Sequence, residues 1–174
     1  MSRGLGDVYK RQVISLGGIA ASRSIKVGGD AFDESIVNHM KKAHNLLIGK
    51  NTAEDIKIKI GSVSSYDGEG AMDVKGRNLT DGLPKSVEIT SAEIRDVLAE
   101  PVSKIIAAIK ETLEVTLPEL AADIIDRGIY LAGGSSQLRG LPELISKETK
   151  MQVHIPEKPL DCVALGTSIK LRRA

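Results

Sequence analysis

The period of hydrophobic and polar residues changes several times along the chain, and each change marks an element. Residues 13–19 and 20–27 read as two short strands. In the second, Ser22, Ser24 and Lys26 alternate with Arg23, Ile25 and Val27, the period of a half-buried strand. Gly17-Gly18 offers a tight connection between them. After Gly28-Gly29-Asp30 the period turns helical. Phe32, Ile36, Val37, Met40 and Ala43 fall on one face, Asp30 is placed to cap, Asp33 lies in the first turn, and the pattern fades at His44 and Asn45. Leu46-Leu47-Ile48-Gly49 closes this unit. Thr52 is read as the cap of a second helix over 53–60, with Ile56 and Ile60 inward and Glu54 and Lys57 neighbouring each other three residues apart.

From Gly61 to Pro84 the composition shifts to Ser, Gly, Asp and Asn. Within and after it, 72–77 and 86–90 read as two edge strands of a hairpin module joined by a loop over 78–83. Thr90-Ser91-Ala92-Glu93 is a capping box. It opens a long helix with Ile94, Val97, Leu98, Ile105, Ile109 and Leu113 inward, in which Pro101 should kink or divide the rod. Thr116-Leu117-Pro118-Glu119 repeats the box and starts a short helix to about Ile125. An apolar strand then runs into Ala132-Gly133-Gly134-Ser135, with a helix expected to open at or just after Ser135. A helix from Leu141-Pro142-Glu143, a brief strand over 153–155, a proline loop and a last helix from Cys162, capped by Asp161, complete the chain. Strands alternating with helices predict an α/β fold, a sheet covered by helices.

Composition narrows the function. Of 174 residues, 41% are hydrophobic, ample for a core, yet only Tyr9, Phe32, Tyr66 and Tyr130 are aromatic. The core must be aliphatic, and little is left to stack on nucleic-acid bases. A net charge of +1 with dispersed basic residues carries no phosphate-backbone stripe. One cysteine, Cys162, excludes an internal disulfide framework and reads as buried and inert. His39, His44 and His154 lie in no zinc spacing, so no metal ligand set is expected. No apolar run approaches the roughly 20 residues needed to span a bilayer, and no secretory signal pattern is present. Residues 1–12 have no clear period and read as a foreign leader before the strand at Val13.

Three features could carry chemistry together. Gly28-Gly29-Asp30 and Gly133-Gly134-Ser135 are glycine turns at helix starts, where a phosphate or ribose can approach backbone N–H groups. Glu54 and Lys57 are a charged pair suited to a nucleoside's sugar and base edge. Each also has a plain structural use: glycines serve turns, and a Glu/Lys pair three apart is commonly a solvated helix face. No nucleophile constellation stands out, and neither G-x-x-x-x-G-K-[ST] nor G-x-G-x-x-G is present.

Longer stretches resemble a known family. They are Val-Gly-Gly-Asp-Ala-Phe-Asp-Glu at 27–34, Asn-Leu-Leu-Ile-Gly at 45–49 and Thr-Ala-Glu-Asp-Ile-Lys-Ile-Lys-Ile-Gly-Ser at 52–62. Val-Lys-Gly-Arg-Asn-Leu at 74–79, Gly-Leu-Pro-Lys at 82–85, Pro-Glu-Leu-Ala-Ala-Asp-Ile-Ile-Asp-Arg-Gly-Ile at 118–129, Leu-Arg-Gly-Leu at 138–141 and Pro-Leu-Asp-Cys-Val-Ala-Leu-Gly-Thr at 159–167 follow in order. From Val13 onward the chain resembles the second half of the MreB/Mbl family of bacterial actin homologues.

The resemblance implies an actin-like ATPase fold of ribonuclease-H type, of which this chain is the second domain: a mixed sheet flanked by helices with a small inserted α/β subdomain. The core would be 13–44 and 91–174, the insertion 45–90, and 1–12 a foreign leader. It maps the family's adenosine motif onto Ala132, Gly133, Gly134 and Ser135, the ribose and base contacts onto Glu54 and Lys57, and a nucleotide-facing turn onto Gly28, Gly29 and Asp30. The cofactor implied is ATP or ADP with Mg2+. The parent would form filaments with copies of itself beneath the inner membrane, in the cytoplasm, and direct the cell-wall elongation machinery to keep a rod shape. Membrane contact would come through the other half, and no nucleic acid is involved. A non-enzymatic filament-capping or partner-binding module with the same fold is the alternative; a chaperone-type ATPase would need a peptide-binding domain after the core. Two departures stand out. Ser135 replaces a third glycine, and the family's Asp followed by Gly-Gly-Gly-Thr-Thr does not precede Val13. That turn cradles terminal phosphates, so no catalytic residue is assigned here and this chain alone is expected not to hydrolyse ATP.

Overall fold

The computed structural model describes residues 9–15, 18–25 and 27–172. Strands β1 (Tyr9–Ser15) and β2 (Gly18–Ile25) form an antiparallel hairpin in which Tyr9 faces Ile25 and Ser15 faces Gly18. The first strand thus starts four residues before Val13 and the second stops short of Val27. Gly17 and Lys26 lie outside the described residues. Helix α1 (Gly29–His44) follows, then β3 (Leu46–Leu47), α2 (Lys50–Ile60), β4 (Ala71–Asn78), β5 (Pro84–Thr90) and the 24-residue α3 (Ser91–Glu114). After α3 come α4 (Pro118–Arg127), β6 (Ile129–Tyr130), one 3-10 turn (Gly134–Gln137), α5 (Leu141–Thr149), β7 (Val153–His154) and α6 (Cys162–Arg172).

Among the described residues the strands fall into three groups: antiparallel β1–β2, antiparallel β3–β4–β5 and parallel β6–β7. β4 is therefore the central strand of its sheet, against the expected edge position, because Leu46 and Leu47 pair with Asn78 and Arg77 on its second side. A cavity of about 440 Å³ lies between β1 and β6, walled by Val13, Ile14, Ile109, Leu113, Leu120 and Leu131 among others.

One aliphatic cluster joins the elements. Phe32, Ile36 and Met40 of α1 are inaccessible to solvent, as are Ile94, Leu98 and Ile105 of α3 and Leu141 and Ile145 of α5. Leu46, Ile56, Val74 and Ile89, from within 45–90, belong to the same cluster. The inward face expected for α1 holds except at Ala43, which is exposed; Asp33 is buried instead. α3 keeps its expected inward face, with Val97 and Leu113 half-buried, and Pro101 does not divide it.

Caps account for most local differences. α1 starts two residues earlier than expected: extended Gly28 is the N-cap, so Asp30 lies in the first turn and caps nothing. Gly49 takes the cap position of α2, placing Thr52 inside the helix. Thr90 does cap α3, accepting the Glu93 N–H at 3.2 Å, but the Glu93 carboxylate is engaged elsewhere. Before α4, the Thr116 hydroxyl donates to the Thr112 carbonyl at 2.7 Å, leaving Leu117 at the N-cap without a side-chain bond.

Gly76 has a packing reason to lack a side chain. A Cβ there would lie 2.6 Å from the Leu47 carbonyl oxygen and 2.9 Å from Leu46 Cγ. Gly76→Ala is expected to lower stability by about 2 kcal/mol, the scale of overpacking, as a shifted urea midpoint with unchanged slope.

Candidate functional site

The site forms where α1, α2 and the 132–135 turn meet. The expected residues arrive from three parts of the chain, and Gly29 shows how closely. A methyl group on its Cα would lie 3.7 Å from Lys57 Nζ and 3.8 Å from Ser135 Oγ. Gly29, Lys57 and Ser135 therefore come together. Gly29 is the first residue of α1, and no side chain caps that helix. An uncapped N-terminus of a 16-residue helix presents backbone N–H groups and the positive end of its dipole to an anion.

The turn itself differs from expectation. Gly133 has φ of 90°, a left-handed backbone open to glycine and strained for other residues. Its N–H donates to the Pro159 carbonyl at 2.8 Å. Beyond it lies only the 3-10 turn Gly134–Gln137, in which the Ser136 hydroxyl donates to the Gly133 carbonyl at 2.6 Å. The next α-helix begins at Leu141, so no helix dipole stands behind Ser135. What this turn offers is close backbone approach: Ala132 and Gly134 are exposed, Gly133 and Ser135 half-buried.

Arg139 holds the turn against α2. Its guanidinium donates to the Lys59 carbonyl at 2.8 Å and to the Tyr66 hydroxyl at 3.1 Å, and lies 5.1 Å from the centre of the Tyr66 ring. The Val63 N–H donates to the Arg139 carbonyl at 2.9 Å. These bonds tie the segment after Ser135 to the end of the helix that carries Lys57.

Lys57 does not pair with Glu54. Its ammonium reaches Asp33 Oδ1 at 2.7 Å and the Gly29 carbonyl at 3.4 Å, with 16% of the lysine side chain and 8% of the aspartate side chain exposed. Glu54 stays exposed one turn earlier on α2. Burial pushes the Asp33 carboxyl above its ordinary value, Lys57 pulls it back by hydrogen bond and charge, and Glu54 and Asp30 repel it further upward. Asp33 is thus a residue of the site that motif reading missed. A signal existed: it lies in the stripe of Phe32, Ile36 and Met40, where a carboxylate needs a buried partner.

A second cluster lies at the other end of α1. Glu93 Oε1 is 2.5 Å from His39 Nε2 and 2.6 Å from His44 Nε2, all three side chains half-buried. Local spacing gave no sign of this grouping, because its third member comes from α3, 49 residues beyond His44. Burial pushes the Glu93 carboxyl up, but hydrogen bonds from the two imidazoles outweigh it and hold the group below its ordinary 4.5. A depressed folded value gives stability that is present above the unfolded value and lost as pH falls through the folded one. Glu93→Gln is expected to cost about 1 kcal/mol near neutrality and to flatten that part of the acid-unfolding profile, read from thermal melts across acidic pH.

Cys162, read as buried, is half-buried at the start of α6, its thiol donating to the Lys158 carbonyl at 3.3 Å. Among the described residues, no helix is long and apolar enough to cross a membrane.

Comparison with known proteins shows the family and the fold. The model of the MreB/Mbl protein family matches residues 6–174, taking in much of the segment read as a foreign leader. The chain is 46% identical over 159 residues to the cell shape-determining protein Mbl of Bacillus subtilis (strain 168), covering 91% of this chain and 48% of that protein. It is 45% identical over 161 residues to the cell shape-determining protein MreB of Escherichia coli (strain K12), covering 92% of this chain and 46% of that one. The crystal structure of MreB5 of Spiroplasma citri bound to ADP superposes with a TM-score of 0.91 at 40% identity, over 94% of this chain and 50% of that one. The chain spans about half the length of the curated relatives it matches. Its fold is the actin-like one expected from the resemblance. Matched along almost its whole length by the family model and by relatives above 40% identity, the chain belongs to the MreB/Mbl family.

Proposed function

We propose that this chain supplies one wall of an adenine-nucleotide site in an actin-like, filament-forming protein that maintains bacterial cell shape. The observation that carries the reading is the convergence at Gly29: Lys57 and Ser135 lie within 4 Å of the space a methyl group there would fill. A glycine at that point keeps open a crevice bordered by an uncapped helix start, an ammonium group and a glycine turn, all suited to phosphate and ribose oxygens. In this reading Gly28, Gly29 and Asp30 face the phosphates, Glu54 and Lys57 the ribose and base, and Ala132, Gly133, Gly134 and Ser135 the adenosine. That MreB5 of Spiroplasma citri, 40% identical, binds ADP supports it.

ATP with Mg2+ is the proposed nucleotide of the whole protein. Hydrolysis would proceed by water attack on the terminal phosphate between two domains, with the metal neutralising charge. Self-association into filaments at the cytoplasmic face of the membrane, organising the wall-elongation machinery, follows as the proposed role, with 45–90 as a small subdomain set on the core formed by 13–44 and 91–174. Titration of the chain with a fluorescent ADP analogue tests the reading. Saturable binding displaced by unlabelled ADP is expected; a signal that never saturates, or that unlabelled ADP does not displace, contradicts it.

A further inference from the structure

The contacts of Glu93 place two imidazoles and one carboxylate at a single point, and this cluster takes no part in the crevice at Gly29. His39 and His44 project from the last two turns of α1 and Glu93 from the first turn of α3. The ligand-capable atoms of the three all lie within 4.8 Å of one another. We propose that His39, His44 and Glu93 form a binding site for a divalent transition metal of the zinc class.

Two neutral imidazole nitrogens and one carboxylate oxygen are the donor set that borderline metals favour, whereas calcium or magnesium would call for oxygens throughout. Zinc holds such ligands at about 2.0–2.2 Å, which sets them about 3.3 Å apart in a tetrahedron. The present contacts of 2.5 and 2.6 Å would open by less than about 1 Å. Small torsions of three half-exposed side chains achieve that. Both Nε2 atoms already point at Glu93 Oε1, so the rings need no flip; the metal would replace the Nε2–H that each ring now donates to Glu93, leaving each neutral imidazole with its one proton on Nδ1. Three protein ligands leave a fourth position for water or an outside group.

The location gives such a site a purpose. His44 is the last residue of α1, and the chain leaves the helix at left-handed Asn45 to enter β3. Glu93 lies three residues after Thr90, where β5 hands over to α3. A metal here would clamp the points at which segment 45–90 departs and returns. It would thereby hold α2, which carries Glu54 and Lys57, relative to α1.

Calorimetric titration of the chain with Zn2+ at neutral pH tests the proposal. One saturable site per chain is expected, weakened at least tenfold by each of His39→Ala, His44→Ala and Glu93→Gln, and unaffected by His154→Ala or Cys162→Ala. Glu93→Gln keeps the side chain's shape and most of its hydrogen bonding, so it serves where a histidine variant loses its fold by circular dichroism. Cobalt(II) in place of zinc should give a visible d–d spectrum that Glu93→Gln alters. Absence of saturable binding overturns the proposal, as does binding that survives these three substitutions or is abolished by His154→Ala or Cys162→Ala.

Discussion

Lys57→Ala is expected to lower the stability of the chain by about 3 kcal/mol near neutral pH, the scale of stripping a buried charge of its partner. The Asp33 carboxylate at 2.7 Å would remain between α1 and α2 with no ammonium to answer it. Lys57 keeps 16% of its side chain exposed, which places the cost at the low end for such pairs. The pH dependence has a definite sign. Asp33 already has a raised folded value, so its contribution to stability is fully present below the unfolded value of about 3.8 and is lost as pH rises through the folded value. Removing Lys57 removes the influence that lowers it and raises the folded value further. The penalty of Lys57→Ala should therefore be largest at about pH 7 and shrink toward about pH 4, where the carboxyl takes up a proton. Asp33→Asn in the same chain should recover much of the loss, because a neutral amide costs far less to bury alone than a carboxylate. Urea unfolding of the single and double variants at two pH values measures this. A pH-independent penalty would show that the Lys57 stem, rather than its charge, supports the fold.

Gly29→Leu is expected to weaken ADP binding about a hundredfold or more while leaving the fold intact. The reasoning rests on distances. A single Cβ at this position meets Lys57 Nζ and Ser135 Oγ at 3.7 and 3.8 Å, ordinary contact distances, so Gly29→Ala should fold normally. Gly29 is the first residue of α1, not a left-handed position, so the backbone also tolerates a side chain. Alanine would take up part of the space that phosphate oxygens need against the helix start, costing about tenfold. Leucine would fill the crevice and displace a ligand held within hydrogen-bond distance of those N–H groups, with a loss of about 2.7 kcal/mol for a hundredfold change. The graded pair distinguishes an occupied crevice from a remote effect. If both variants bind ADP like the parent chain and melt at the same temperature, the nucleotide does not sit against Gly29.

How much of this was legible in the sequence differs by level. Periodicity located the helices because it records burial directly: Phe32, Ile36 and Met40, and Ile94, Leu98 and Ile105, are inward as spaced. Helix starts were less legible. Asp30, Thr52 and Thr116 are good capping residues by type, yet the backbone turns at Gly28, Gly49 and Leu117. A polar side chain near a helix start can serve as a cap, as a first-turn acid, or as a hydroxyl bonded back to the preceding helix, as Thr116 is. The central place of β4 was hidden because its second partner, β3, is only two residues long.

The candidate nucleotide site was legible as three motifs but not as an arrangement. Glycine turns and the Glu54/Lys57 spacing mark positions, whereas the Lys57–Asp33 pair joins residues 24 apart through tertiary packing. The His39–His44–Glu93 cluster had no local signature, since five-residue spacing on a helix is not a ligand pattern and Glu93 looked fully employed in a capping box. Family resemblance assigned roles to the glycines and was silent about Asp33 and the histidines.

The central claim is that ADP occupies the crevice between the start of α1, Lys57 and the 132–135 turn. Amide chemical-shift mapping of the isotopically labelled chain during an ADP titration tests it most directly. The account predicts the largest saturable shifts at Gly29, Asp30, Gly133, Gly134 and Ser135, with smaller ones around Glu54 and Lys57. Shifts confined to other parts of the chain, or none at saturating ADP, would contradict it.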